Sequence, residues 1–235
     1  MRRLLLVLSA TVTAAAALSA PAAATSECDG LLVCVPVAGP WVVVPSGLTV
    51  PRARVDFQLA CPRGHVVAGL DAELSHRGID VSFSALLGSP VGPGVSTERS
   101  ALFSASYAGG TKQATSFRPH IGCVPTAGGG ARIPVAHTAF PPGPPSARRV
   151  TAVRVPAVGG VVRARRACAR DERLVSGWHA LTFRTEEPPT ARHVAAATVT
   201  RTVTANAVTV VVRGGPALRG VRALVQVGAV CAGDR

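Results

Sequence analysis

Lysine is nearly missing from this chain: Lys112 stands alone beside 24 arginines. There is one Met, at position 1, one Tyr, two Trp and six Phe, so aromatics make up only 4% of 235 residues. With so few rings, a surface that stacks the bases of single-stranded nucleic acid is not expected. Gly109 lies three residues before Lys112, so the Ser-x-x-Lys acyl-enzyme motif is absent, as is a Gly-x-Ser-x-Gly elbow. His65, His76, His120, His137, His179 and His193 show no His-Glu-x-x-His or other close metal spacing. Past the N-terminus no window approaches the roughly 20 continuous apolar residues of a membrane span. The 24 Gly and 19 Pro are spread along the chain, which disfavours long helices and coiled coils, because both residues break helix interiors.

What is present begins with an export signature. Met1-Arg2-Arg3 is a basic start, Leu4 to Ala17 an apolar stretch, and Ala22-Ala23-Ala24 a small-residue cleavage site, predicting a signal peptide over residues 1–24 and a secreted mature protein from Thr25. Thr25-Ser26-Glu27 before Cys28 does not make a lipobox. All six cysteines, Cys28, Cys34, Cys61, Cys123, Cys168 and Cys231, fall in the exported part, and an even count in an oxidising compartment reads as a disulfide framework.

An internal repeat chooses the pairing. Cys61-Pro62-Arg63-Gly64-His65-Val66-Val67-Ala68-Gly69 aligns with Cys168 to Gly177, allowing one inserted residue; Leu102 to Gly110 aligns with Ala207 to Gly215; and Trp41 to Pro45 answers Ala152 to Pro156. Each copy closes on a cysteine at almost the same distance, Cys123 or Cys231. A tandem duplication makes Cys61–Cys123 and Cys168–Cys231 equivalent and leaves Cys28–Cys34 to close a short N-terminal loop.

Between the copies, residues 126–149 contain Gly128-Gly129-Gly130 and Pro141-Pro142-Gly143-Pro144-Pro145, a predicted partly extended linker. Within each copy Val55, Phe57 and Leu59 alternate with Asp56 and Gln58, and Val208, Val210 and Val212 with Thr209 and Val211, as half-buried strands do. The expectation is an all-β chain of two tandem disulfide-stapled β-sandwich-like domains, residues 25–125 and 150–235, joined by the Gly/Pro-rich linker. The one helix candidate is Pro189 to Val199, and its Val and Thr content speaks against it.

The opening Cys61-Pro62-x-Gly64-x-x-Val67-x-Gly69 and the closing Val227-Gly228-Ala229-Val230-Cys231-Ala232 resemble a module of secreted proteins from high-GC actinobacteria, mostly without an assigned function. The resemblance covers each repeat, not the signal segment or linker. It implies an exported β module and brings no catalytic residue with it. This chain has Leu70 and Trp178 where the module tends to carry a second glycine.

Charge separates the copies. Residues 25–126 hold seven basic and seven acidic side chains; residues 127–235 hold sixteen and five. The excess marks the linker and second repeat, a field able to attract polyanions. If Val162 to Cys168 matches Val55 to Cys61, Arg163 and Arg165 point outward, while Arg166 takes the place of apolar Leu59. Arg163, Arg165, Arg166, Arg170 and Arg173, with the Trp178-His179 pair, are the candidate binding residues. The ligand class is an anionic cell-envelope polymer, acidic glycan or phospholipid headgroup, since Arg forks grip phosphate and carboxylate. The plain alternatives are a solvated face of an Arg-rich protein and, for Trp178 and Trp41, core anchors. No cofactor, metal or nucleic acid is expected, and every cysteine is spoken for. Ser75, His76 and Asp80 could join a hydrolytic set with distant partners. The favoured expectation is a noncatalytic secreted module at the envelope, structural or binding; the alternative is an exported hydrolase with a site between the repeats, using His and Asp from both.

Overall fold

The computed structural model describes residues 25–46, 52–84, 99–110, 114–125, 146–157 and 159–233. The signal segment and residues 126–145 of the proposed linker lie outside the described residues. Those described are mostly strand: β1 Val35–Ala38, β2 Trp41–Val44, β3 Arg54–Ala60, β4 His65–Leu74, β5 Ile79–Ser84, β6 Ser100–Tyr107, β7 Thr115–Pro125, β8 Ser146–Arg154, β9 Val161–Ala167, β10 Glu172–Phe183, β11 Ala197–Val203, β12 Ala207–Gly214 and β13 Ala223–Gly233. One short helix, α1 Ala191–Ala195, and a 3-10 turn at Pro216–Leu218 complete the set among the described residues.

Two boundaries differ from expectation. Strand β8 reaches back to Ser146, so residues 146–149 pair with β13 instead of extending the linker, because Val150, Ala152 and their neighbours hold one unbroken register from Ala232 to Leu224. The helix candidate shrinks to five residues. Thr190 caps it by accepting from the His193 N–H, and the Thr-Val run from Ala197 turns to strand, where β-branched side chains fit better.

A large sheet is ordered β4-β7-β2-β10-β13-β8, with β1 also on β7 and placed end to end with β2. Two three-stranded sheets, β3-β6-β5 and β9-β12-β11, complete the structure. The large sheet is continuous across both halves, because β2 pairs antiparallel with β10 at Val42–Thr182 and Trp41–Phe183.

That junction determines where the cores lie. Successive side chains of a strand point to opposite faces of its sheet. Val42 and Val44 pack with Val55, Phe57, Phe103, Phe117, Ile121 and Ala180 in one core. Trp41 belongs, with Val43 packed against it, to a second core of Ala164, Phe183, Val208, Val210, Val212, Val225 and Val227. Thus β3-β6-β5 covers one face of the large sheet and β9-β12-β11 covers the other. The antiparallel step at β2–β10 turns the second half over relative to the first. Trp41-Val42-Val43-Val44 has no polar alternate because both sides of β2 are buried.

The three disulfides are Cys28–Cys34, Cys61–Cys123 and Cys168–Cys231. The two long-range bridges each tie the end of an outer sheet's edge strand to the large sheet. A further polar tie crosses the halves. The buried Gln226 on β13 accepts from the Gln58 backbone N–H at 2.7 Å and donates to the Gln58 carbonyl at 2.9 Å, so that one side chain mimics a neighbouring strand.

Candidate functional site

The outer face of the β11-β12-β9 sheet is built by register. Antiparallel partners directly opposite one another project to the same side. Thr198, Arg213 and Val161 form one row, Thr200, Val211 and Arg163 the next, and Thr202, Thr209 and Arg165 the third. The alternate positions Ala164, Val208, Val210 and Val212 are buried, which fixes this side as the solvent side. Arg163, Arg165, Arg213 and the three β11 threonines are all exposed. None of the nine positions is acidic. Three guanidinium groups beside a field of hydroxyls, on a pleated surface, can hold anionic oxygens by charge-assisted hydrogen bonds.

The remaining candidate residues do not join this face. Arg166 points to the opposite side of β9, opposite the buried Val208, and its Nε is buried without a hydrogen-bond partner. It stands on the core side of β9 and is only partly exposed, an arrangement a long cation tolerates by packing its stem. Arg170 and Arg173 sit at the β9–β10 turn around a surface hollow shared with Asp171 and Glu172. There Glu172 receives Arg149 at 2.6 and 3.0 Å and the Ala169 N–H at 2.8 Å, and the Arg149 hydrogen bonds hold its carboxyl below the usual range. Glu172 also lies near the sulfurs of Cys168 and Cys231, but those sulfurs are bonded to each other and cannot act as thiolate ligands.

Trp178 is 4% exposed and packs over Gly228, where a Cβ would collide with the indole. It is therefore core and offers no plate for a sugar ring. Trp41 is buried as well and donates its indole N–H to the Glu186 carbonyl at 3.1 Å.

His179 lines a different feature, a cleft of about 300 Å³ between Val43, Pro45 and Arg54 of the first half and Leu181, Val194, Ala197 and Val199 of the second. Burial, and then the charge of Arg201, hold its pKa below the ordinary imidazole value. Arg54 at this cleft is tied to Asp56 at 2.9 Å, and Asp56 also accepts from Ser104 Oγ at 2.7 Å. His76 packs edge-on against Tyr107, 4.9 Å between centroids, with Gly78 N–H bonded to its Nδ1.

A second polar cluster anchors the N-terminal segment. The Ser26 N–H donates to Asp71 at 2.7 Å, and the Glu27 carboxylate is buried 3.7 Å from His120. His120 in turn lies 3.8 Å from Glu73. The Glu27 backbone runs so close over Gly69 and Gly122 that a Cβ at either position would collide with its carbonyl.

Comparison with family models, curated proteins and solved structures finds no match.

Arg213 and the Thr198, Thr200, Thr202 and Thr209 hydroxyls were not among the sequence-based candidates. The signal for the three β11 threonines was their strict alternation, which the helix candidate over Pro189 to Val199 partly covered; that for Thr209 and Arg213 was the alternation of β12. Among the described residues no helix is long and apolar enough to cross a membrane.

Proposed function

We propose that the chain is a secreted, noncatalytic β module, built by tandem duplication, whose second half binds an anionic polymer of the cell envelope through the outer face of the β11-β12-β9 sheet. The supporting observation is the acid-free array of Arg163, Arg165 and Arg213 among four threonines on one exposed sheet face. Export is favoured by six cysteines paired in three disulfides, a state that persists in oxidising compartments. Duplication is favoured by the matching strand orders β3-β6-β5 and β9-β12-β11, and by a bulge seven residues past the opening cysteine in each half, at Ala68 and at Val175.

Co-sedimentation of the mature protein with purified cell walls tests the reading. Replacing Arg163, Arg165 and Arg213 together by Ala is expected to weaken binding by between about ten- and a hundredfold, given that each exposed charge-assisted contact contributes about 0.5 to 0.9 kcal/mol. Binding should also fall steeply as salt is raised. Undiminished binding by the triple variant, or indifference to salt, would overturn the assignment.

A further inference from the structure

The face proposed above has a spacing as well as a sign, and from that spacing we infer its ligand class: a linear phosphodiester polymer without aromatic bases. This inference rests on the polyanion reading of the same face.

Arg163 and Arg165 are two residues apart on β9, which places their Cα atoms about 6.5 to 7 Å apart along the strand. Arg213 lies on the adjacent β12, one row further along, so its offset from Arg163 combines about 6.5 to 7 Å along the strands with about 4.8 Å across them. The Cα atoms that carry the three cations therefore form a slightly oblique line with steps of roughly 7 to 8 Å. An extended phosphodiester chain with a three-carbon unit between phosphates repeats its charge at roughly 6 to 7.5 Å, as bonds of about 1.5 Å require. Each guanidinium can then meet one phosphate, and the fork geometry suits two of its oxygens. The parallel column Thr198, Thr200 and Thr202, two strands away, supplies hydroxyls to the polymer's own hydroxyl groups or substituents.

Two competing polyanions fit less well. Polysaccharides are commonly held by an aromatic ring laid against the sugar, and bases of single-stranded nucleic acid by stacking on similar rings. None of the nine residues of this face is aromatic, and Trp41, Tyr107 and Trp178 are all buried.

The test separates spacing from net charge. In the double variant Val161→Arg/Arg163→Ala, the face keeps three arginines but loses the even line, at two positions that are both exposed. Binding of the mature protein to poly(glycerol phosphate), polygalacturonate and an oligothymidylate of equal charge is measured by isothermal titration, with thermal unfolding to verify that the variant folds. The expected result is preference for poly(glycerol phosphate) over both other polymers by about tenfold, and loss of that preference in the double variant. Equal binding of poly(glycerol phosphate) and polygalacturonate, unaffected by the double variant but lost when all three arginines become Ala, would overturn the phosphodiester inference and leave the polyanion reading standing. Tighter binding of the oligothymidylate would overturn it in favour of nucleic acid. Failure of all three polymers to bind would overturn both readings.

Discussion

Three residues past the bulge in each long strand, the two halves solve the same problem differently. In the first, Asp71 pairs across the sheet with His120 and holds the Ser26 N–H, so the N-terminal segment covers that patch. In the second, Trp178 pairs with Gly228 and covers the patch itself. The next residue, His179, carries a pH signature. Burial and Arg201 depress its pKa in the folded state, so the unfolded chain takes up the proton first as pH falls. Its share of stability is whole above the ordinary imidazole value and is lost as pH falls from there toward the folded pKa. The variant His179→Gln is accordingly expected to show a flatter decline of Tm between about pH 7.5 and 5 than the parent chain. Parallel declines in the two proteins would show that another group is responsible. Sequence alone left Trp178 with two readings, since a buried Trp and a sugar-stacking Trp look the same until the residue opposite is known; Gly228, fifty residues later, decides it.

At the scale of elements, register carries most of the information and is the least legible part of a sequence. The alternation of β3 and β12 was plain, and so were the staples, because the two cysteine separations agree. The Thr stripe of β11 was obscured because Thr190 does start a helical turn and the Ala-rich stretch behind it supports one. Arg166 is a related case: period two predicts its side of the strand, but only the neighbouring Val208 shows that this side is packed. Across elements, the Gln226 amide substitutes for a strand partner of Gln58. Replacing Gln226 by Ala strands a backbone donor and acceptor at a buried site and is expected to cost about 1 to 3 kcal/mol in urea unfolding. A change within a few tenths would mean that solvent reaches the Gln58 backbone. Among the described residues β8 pairs on one side only, and it carries arginines at 149 and 154, a composition that discourages pairing with another sheet.

For the whole molecule, the shared strand β2 is the key element. A chain cut within residues 126–145 leaves the first half with Trp41 and Val43 facing water and the second half without cover for Phe183. Neither half alone is expected to give a cooperative thermal transition, whereas the two produced together should re-form one. Independent, sharp melting of the isolated 25–125 segment would show that its core is sufficient. The inverted placement of the halves was not readable, because an alignment of two segments says that they are alike and nothing of how one is turned upon the other. That inversion has a consequence at the surface. The outer face of the β3-β6-β5 sheet, with Arg54, Asp56, Asp80, Ser82 and Ser106, looks away from the arginine face. If the molecule lies on an anionic layer by its arginines, as proposed, it turns a polar face without excess positive charge toward the medium, so a coat of such molecules would screen the layer's charge behind a hydrated exterior.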